Sequence, residues 1–396
     1  MNSVIYKKIK YLARYIYELF LKAGFILLDA LLPKNEKYWC FCTWDNYPHT
    51  LDNPRAVFET IKNDASIRKI ILVKTSNRLN FSDGKNIKFI NAESFHGIYY
   101  VARSRIILLG YSLSALSSYS NLISNNHTII QLWHGIPLKR IGMLFPDETN
   151  WYKETRKYYA TVCSSSEDKN FMRQAFSPIL EDNVWQSGLP RNDIILMNEN
   201  NLPVDYHDYL RDFRNRIGNR KLVLYAPTWR AESENIYVFS GQQINTLNKV
   251  LEDNNAVLAI RGHSNVRSHD MVNGEILNSR IIEANSIPDV NILLRLADIL
   301  VTDYSSIYID FLITNKPIIY FTYDLDNYYK ERGFLYNIKK AFASEEVLNF
   351  DDFVTTLDHT LRYGTEDTTR YQSVKKLFHD YEGSSSVAVA EHIRNI

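Results

Sequence analysis

Short apolar runs return along the chain in two series, and that recurrence narrows the fold further than any other feature of the sequence. In the first series Tyr38–Cys42, Lys69–Val73, Ile87–Ile90, Ile106–Leu109, Thr128–Leu132 and Ala160–Cys163 read as strands, with helical spacing over Pro54–Lys62 and Ser94–Ala102 between them. Leu222–Tyr225, Val257–Ile260, Ile281–Ile282, Ile299–Val301 and Pro317–Phe321 form the second series, closed by helical C-terminal segments. Strands that alternate with helices predict parallel sheets covered on both faces. Asn198–Pro203, rich in Asn, Glu and Pro, marks the break between the halves. The chain therefore reads as α/β, with one doubly wound domain over 33–200 and a second over 201–396. Two such halves facing each other place a ligand in the cleft between them, at the carboxyl ends of their strands.

Composition limits the partners. A length of 396 residues allows two separate cores, and a formal net charge of +1 gives no overall field for nucleic acid. Cys40, Cys42 and Cys163 make neither a CxxC pair nor an even framework, which suits a reduced cytosolic setting. Residues 1–32 form a separate segment. Lys7, Lys10, Arg14, Glu18 and Lys22 recur at spacings of three and four, so they share one stripe of a helix, and Ile5, Ile9, Leu12, Ile16, Phe20 and Ala23 fall opposite. Lys22 and Asp29 bracket the most apolar part, too short for the roughly 20 residues a membrane span needs. The expectation is an amphipathic helix that lies on the membrane surface through residues 4–32; the alternative is a helix packed on the protein's own body.

Polar clusters stand where strands of both series should end. Trp133-His-Gly-Ile-Pro-Leu-Lys-Arg140 follows Leu132, Ala226-Pro-Thr-Trp-Arg230 follows Tyr225, Arg261-Gly-His263 follows Ile260, and Thr302-Asp-Tyr-Ser-Ser306 follows Val301. Imidazole is the side chain best suited to take a proton from a hydroxyl near neutral pH, so His134 is a candidate base, with a structural histidine as the alternative. Gly135 would let a substrate approach the backbone, and Pro137 stiffens the turn. Arg261 and His263 suit the charge that grows on a departing phosphate, or an ion pair with a nearby acid. Thr228 and Trp229 could contact a nucleotide, although Trp229 could equally be core. Arg191, in the turn Gly188-Leu-Pro-Arg-Asn-Asp193, is a phosphate contact or a loop cap. A helix opening at Ser305 or Ser306 would aim free N–H groups at a phosphate, and Asp310, one turn on, could accept from polyol hydroxyls. There is no phosphate loop of the G-x-x-x-x-G-K-[ST] type, no G-x-G-x-x-G after a strand, no G-x-S-x-G elbow and no zinc spacing, so no metal site is assigned.

Taken together, Trp133-His-Gly-Ile-Pro137, Arg261-Gly-His263, Thr302–Ser306 with Asp310, Pro317–Leu325 with Arg332-Gly-Phe334, and Asp52-Asn-Pro-Arg-Ala-Val-Phe58 resemble the CDP-glycerol glycerophosphotransferase family of teichoic-acid primases and polymerases. The resemblance runs from about residue 38 to 340. It implies a GT-B-like fold of two Rossmann-like domains and transfer of a polyol phosphate from CDP-glycerol or a related CDP-polyol to a hydroxyl of a lipid-linked glycan, releasing CMP. It implies His134 as base and His263 as the second catalytic histidine. Donor contacts are implied at Gly135, Ile136, Pro137, Leu138, Arg191, Thr228, Trp229, Arg261, Gly262, Ser305, Ser306 and Asp310. It implies a peripheral protein on the cytoplasmic face of the membrane; no cofactor is assigned, since the CDP-polyol is a substrate, and the sequence leaves metal dependence open. The family's arginine–histidine motif usually continues with proline, whereas Ser264 stands here. CDP-ribitol as donor, a GT-B glycosyltransferase using a nucleotide sugar, and a silent nucleotide- or glycan-binding scaffold are the competing readings.

Overall fold

The computed structural model describes residues 2–42, 52–73, 84–145, 149–228, 237–262, 278–325, 328, 333–364 and 368–396. His263, Trp229, Ser264 and Arg332 lie outside the described residues. The first sheet comprises β1 (Asn35–Phe41), β2 (Arg68–Val73), β3 (Ile87–Asn91), β4 (Ser104–Leu109), β5 (Thr128–Gln131), β6 (Tyr158–Cys163) and β7 (Val184–Gln186). Its order is β3-β2-β1-β4-β5-β6-β7, with every pairing parallel. β8 (Lys221–Tyr225), β9 (Ala256–Ile260), β10 (Ile281–Glu283), β11 (Ile299–Thr302), β12 (Ile318–Phe321) and β13 (Glu346–Val347) make the second sheet, ordered β10-β9-β8-β11-β12-β13 and again parallel. In each sheet the strand order reverses beside the first strand, the topology that opens a crevice at the carboxyl ends.

The central strands are buried on both faces, which is why they read as continuous apolar runs rather than as alternations. One core cluster is shared by the two lobes, joining Phe41, Phe58 and Ile71 to Leu222, Leu300 and Tyr308. Past the second sheet the chain returns to the first lobe. The helix Ser385–Arg394 lays His392 on Trp185 (4.8 Å, 8°), and Asp193 accepts from the backbone N–H of Ser385 (3.0 Å) and Ser386 (2.8 Å). The last residues of the span 201–396 are thus packed on the first sheet's side.

Helix α1 (Asn2–Leu31) is attached from Tyr17 onward, where the Tyr17 hydroxyl donates to the Glu93 carbonyl (2.9 Å) and its ring meets Phe95 edge-on (6.3 Å). Leu21 and Phe25 are fully buried, Phe25 stacks on Tyr119 (4.6 Å), and Asp29 accepts from Lys34 Nζ (2.6 Å) and Ser124 N–H (3.0 Å) beside the His127 ring (2.6 Å). At about 100° per residue, Leu21, Phe25 and Leu28 share a side with the stripe of Lys7, Lys10, Arg14, Glu18 and Lys22. The side carrying Ile9 (61% exposed), Leu12, Ile16, Phe20 (65% exposed) and Leu27 faces away from the body. Packing on the body therefore involves the polar-stripe side, not the apolar side. Among the described residues no helix is long and apolar enough to cross a membrane.

Candidate active site

The loop leaving β5 is held out of strand geometry at two positions. Trp133 has φ +53° and Gly135 φ +143°, and a bulky residue in the left-handed region costs on the order of 1–3 kcal/mol unless its surroundings enforce it. Here they do. The Trp133 N–H donates to Gln131 Oε1 (2.9 Å), and Asn53, fully buried, donates through Nδ2 to the carbonyls of Leu132 and Trp133 (both 3.0 Å). Asn53 is in turn placed by α2 (Asp52–Ile61), whose Pro54 closes on Gly110 at the end of β4; a Cβ added at Gly110 would lie 3.0 Å from the proline ring.

This turn presents His134. Its ring is half-buried, tilted against Trp133 (4.2 Å) and Tyr111 (5.0 Å). Nδ1 lies 3.0 Å from the Gly110 carbonyl, which can only accept, so Nδ1 carries the proton and Nε2 the basic electron pair. Burial pushes the imidazole down to about 4, with the Arg191 charge adding to it and the Gly110 hydrogen bond opposing. His134 is therefore neutral at pH 7, the protonation state a general base needs.

The second lobe meets this loop directly. A Cβ added to Gly135 would stand 3.3 Å from Ser306 Oγ and 2.8 Å from Arg191 Nη2. Leu335 N–H donates to the Leu138 carbonyl (2.8 Å) in the bridge between Lys139 and Phe334. Ser305 and Ser306 are half-buried and open the short helix Ile307–Leu312 after β11. Beside them Thr228, at the end of β8, donates its N–H (2.8 Å) and hydroxyl (2.6 Å) to the buried Asp303, while Thr302 Oγ1 donates to the Ala226 carbonyl (2.7 Å). The loops after β5 and β11 thus meet at the junction of the lobes, with Gly135, next to His134, beside Ser306, while Thr228 after β8 is held to Asp303 within the second lobe.

Other candidate residues are placed differently. Arg261 turns its guanidinium onto the carbonyls of Ala284 (3.4 Å), Ile287 (2.5 Å) and Pro288 (3.0 Å), so it fastens the turn that carries the buried Gly262. Ile136 and Leu138 bury their side chains in the shared core, and Pro137 is buried too, leaving the backbone for any ligand. Asp310 is 1% exposed and accepts a bidentate contact from Arg191, whose side chain is itself buried. Burial pushes Asp310 up to about 6 against the pull of the guanidinium, so it remains ionised at pH 7. A buried carboxylate needs a partner, and Arg191 supplies it where hydroxyls of a ligand were expected. Asp52, Asn53, Gln131 and Gly110 had no role read from sequence. The signal for the first two was the Asp52–Phe58 motif itself. Among the described residues no group of His, Cys, Asp and Glu could hold a metal.

The family model of CDP-Glycerol:Poly(glycerophosphate) glycerophosphotransferase matches residues 25–395. The chain belongs to this family. Within it, the chain is similar to the teichoic acid glycerol-phosphate transferase of Staphylococcus aureus, 26% identical over 90% of this chain and 90% of that protein. It is also similar to the teichoic acid ribitol-phosphate primase of Bacillus spizizenii, 24% identical over 93% of each. A structure of the wall teichoic acid polymerase TagF superposes on this glycerophosphotransferase-family chain with a TM-score of 0.74 at 20% identity, covering 100% of this chain and 98% of that one. The fold is thus GT-B-like, as the resemblance implied.

Proposed function

We propose that the chain transfers a polyol phosphate, with glycerol phosphate favoured, from a CDP-polyol to a hydroxyl of a lipid-linked glycan or polyol-phosphate acceptor. The acceptor oxygen bonds to the phosphorus that carries the polyol. The bond from that phosphorus to the bridging oxygen breaks, CMP leaves with the bridging oxygen, and the acceptor proton passes to His134 Nε2. The observation that carries this reading is a neutral imidazole, its tautomer set by Gly110, fixed where the first lobe touches Ser306 of the second. His263, two residues after Arg261 in the sequence, is assigned to the leaving phosphate. Thr228, Trp229, Gly262, Ser305 and Ser306 are assigned to the donor, together with the backbone of 135–138. CDP-ribitol stands as the second donor, because relatives of similar identity are ribitol-phosphate enzymes. A screen of CMP release across CDP-glycerol, CDP-ribitol and UDP-sugars tests the reading. CMP is expected from a CDP-polyol; turnover of UDP-sugars alone would make the chain a glycosyltransferase, and CMP binding without turnover on any acceptor would make it a scaffold.

The same reading places the protein peripherally on the cytoplasmic face of the membrane, held by α1. Support comes from the row Ile9, Leu12, Ile16 and Phe20, exposed on the side away from the body. Replacing these four by serine removes about 1 kcal/mol of interfacial burial each, and binding to anionic vesicles should fall about a thousand-fold with the fold intact. Unchanged vesicle sedimentation would rule out this face as the anchor. Removing the whole segment 1–32 is a poorer test, because Leu21 and Phe25 belong to the core.

A further inference from the structure

Three consecutive carbonyls, the last of them the candidate base's own, are held by two side chains that are themselves joined. Asn53 takes those of Leu132 and Trp133, and Arg191 Nη1 takes that of His134 (2.6 Å). The backbone N–H of Arg191 donates to Asn53 Oδ1 (2.9 Å). The rest of the guanidinium is spoken for: Nη1 also reaches Asp52 Oδ2 (3.0 Å), Nε reaches Asp310 Oδ1 (3.2 Å), and Nη2 reaches Asp310 Oδ2. Asp52 and His134 belong to the first lobe and Asp310 to the second, so one side chain ties the base's backbone to both. A group so enclosed has little left to offer a diphosphate.

We infer that Arg191 is a positioning residue for phosphoryl transfer, fixing the His134 backbone against the Ser305–Ser306 turn through Asp310, rather than a ligand of the donor. The inference rests on His134 being the base. Its chemical logic is that reacting groups misplaced by about 1 Å lose on the order of 10²-fold in rate, while ground-state binding of the donor through other contacts is retained. Lysine cannot reproduce the fork, because it presents a point charge and no planar pair of donors.

Arg191→Lys and Arg191→Gln are therefore expected to lower kcat for CMP release from CDP-glycerol by about 10²-fold, with KM for CDP-glycerol within about threefold. Removing the positive charge in Arg191→Gln should also raise the His134 titration midpoint above about 4, but short of 6.5 because burial is the larger cause. That shift is read by NMR titration of the imidazole in the absence of donor, and as an upward move of the acid limb of kcat. Should the Arg191 variants not fold, Asp52→Asn, nearly isosteric and partly exposed, is expected to lower kcat about three- to tenfold at unchanged KM. A raised KM at steady kcat, unchanged kinetics, or a loss of kcat with the His134 midpoint unmoved in Arg191→Gln would overturn the inference. Absence of CMP release by the wild-type protein would instead refute the proposed activity, and the donor-free titration would still report on Arg191.

Discussion

His134→Gln is expected to lower the rate of CMP release by about 10²–10⁴-fold, the range that a positioned general base contributes. Glutamine can fill the slot between Trp133 and Tyr111 and donate its amide to the Gly110 carbonyl, so the turn has no reason to collapse. What it lacks is a basic nitrogen. The thermal midpoint should change little and KM for the CDP-polyol should stay within a few-fold, since the base acts on the acceptor. Retention of full turnover would remove His134 from the mechanism. The sign of the pH effect follows from the same group. Its folded-state value lies at about 4, below the ordinary 6.5, so between those limits the unfolded chain binds a proton that the folded chain refuses. Stability contributed by the neutral ring is complete above about pH 6.5 and is lost as pH falls toward 4, by up to about 3 kcal/mol. His134→Gln should flatten that part of the stability–pH curve.

Gly135→Ala should be nearly as damaging, for a steric reason. The backbone at φ +143° is one that residues with a Cβ rarely adopt, and the added carbon would meet Arg191 Nη2 at 2.8 Å and Ser306 Oγ at 3.3 Å. The guanidinium cannot retreat without leaving Asp310, Asp52 or the His134 carbonyl. We expect a stability loss of about 2 kcal/mol and a fall in kcat of about 10²-fold, measured by denaturant unfolding and CMP release. Gly218→Ala is the matched control. Gly218 also has positive φ, +61°, but nothing lies within 4 Å of its Cβ position, so it should lose stability alone and keep kcat. Equal kinetic effects in both variants would show that contact with Arg191 and Ser306 is immaterial.

Much of the architecture was legible because buried parallel strands are continuous apolar runs: β1 to β6 and β8 to β12 all lie where such runs occur. β7 and β13, three and two residues long, escaped because neither holds two adjacent aliphatic residues, whereas the equally short β10 carries Ile281 and Ile282. Nothing local shows that Ser385–Arg394 crosses back to the first lobe, because its partners Thr60, Asp193 and Trp185 lie far away in sequence. At the site, residue types at strand ends located the loops correctly, but not the directions of the side chains. Arg261 and Arg191 looked alike in sequence as cations near a phosphate. One is turned onto backbone carbonyls and the other between carboxylates, and those choices depend on where each buried acceptor would otherwise lack a donor. Likewise α1 showed a polar and an apolar side in sequence, yet which side met the body was set by Leu21, Phe25 and Asp29 near its end.

The most direct measurement follows both products of a single turnover, using CDP-glycerol labelled on the phosphorus that carries the glycerol and a lipid-linked polyol-phosphate acceptor. Transfer driven by a base at the lobe junction predicts label on the acceptor and unlabelled CMP in equal amounts. Labelled CDP, with glycerol alone on the acceptor, would mean that the carbon–oxygen bond of the glycerol breaks instead of a bond to phosphorus, and would contradict polyol-phosphate transfer.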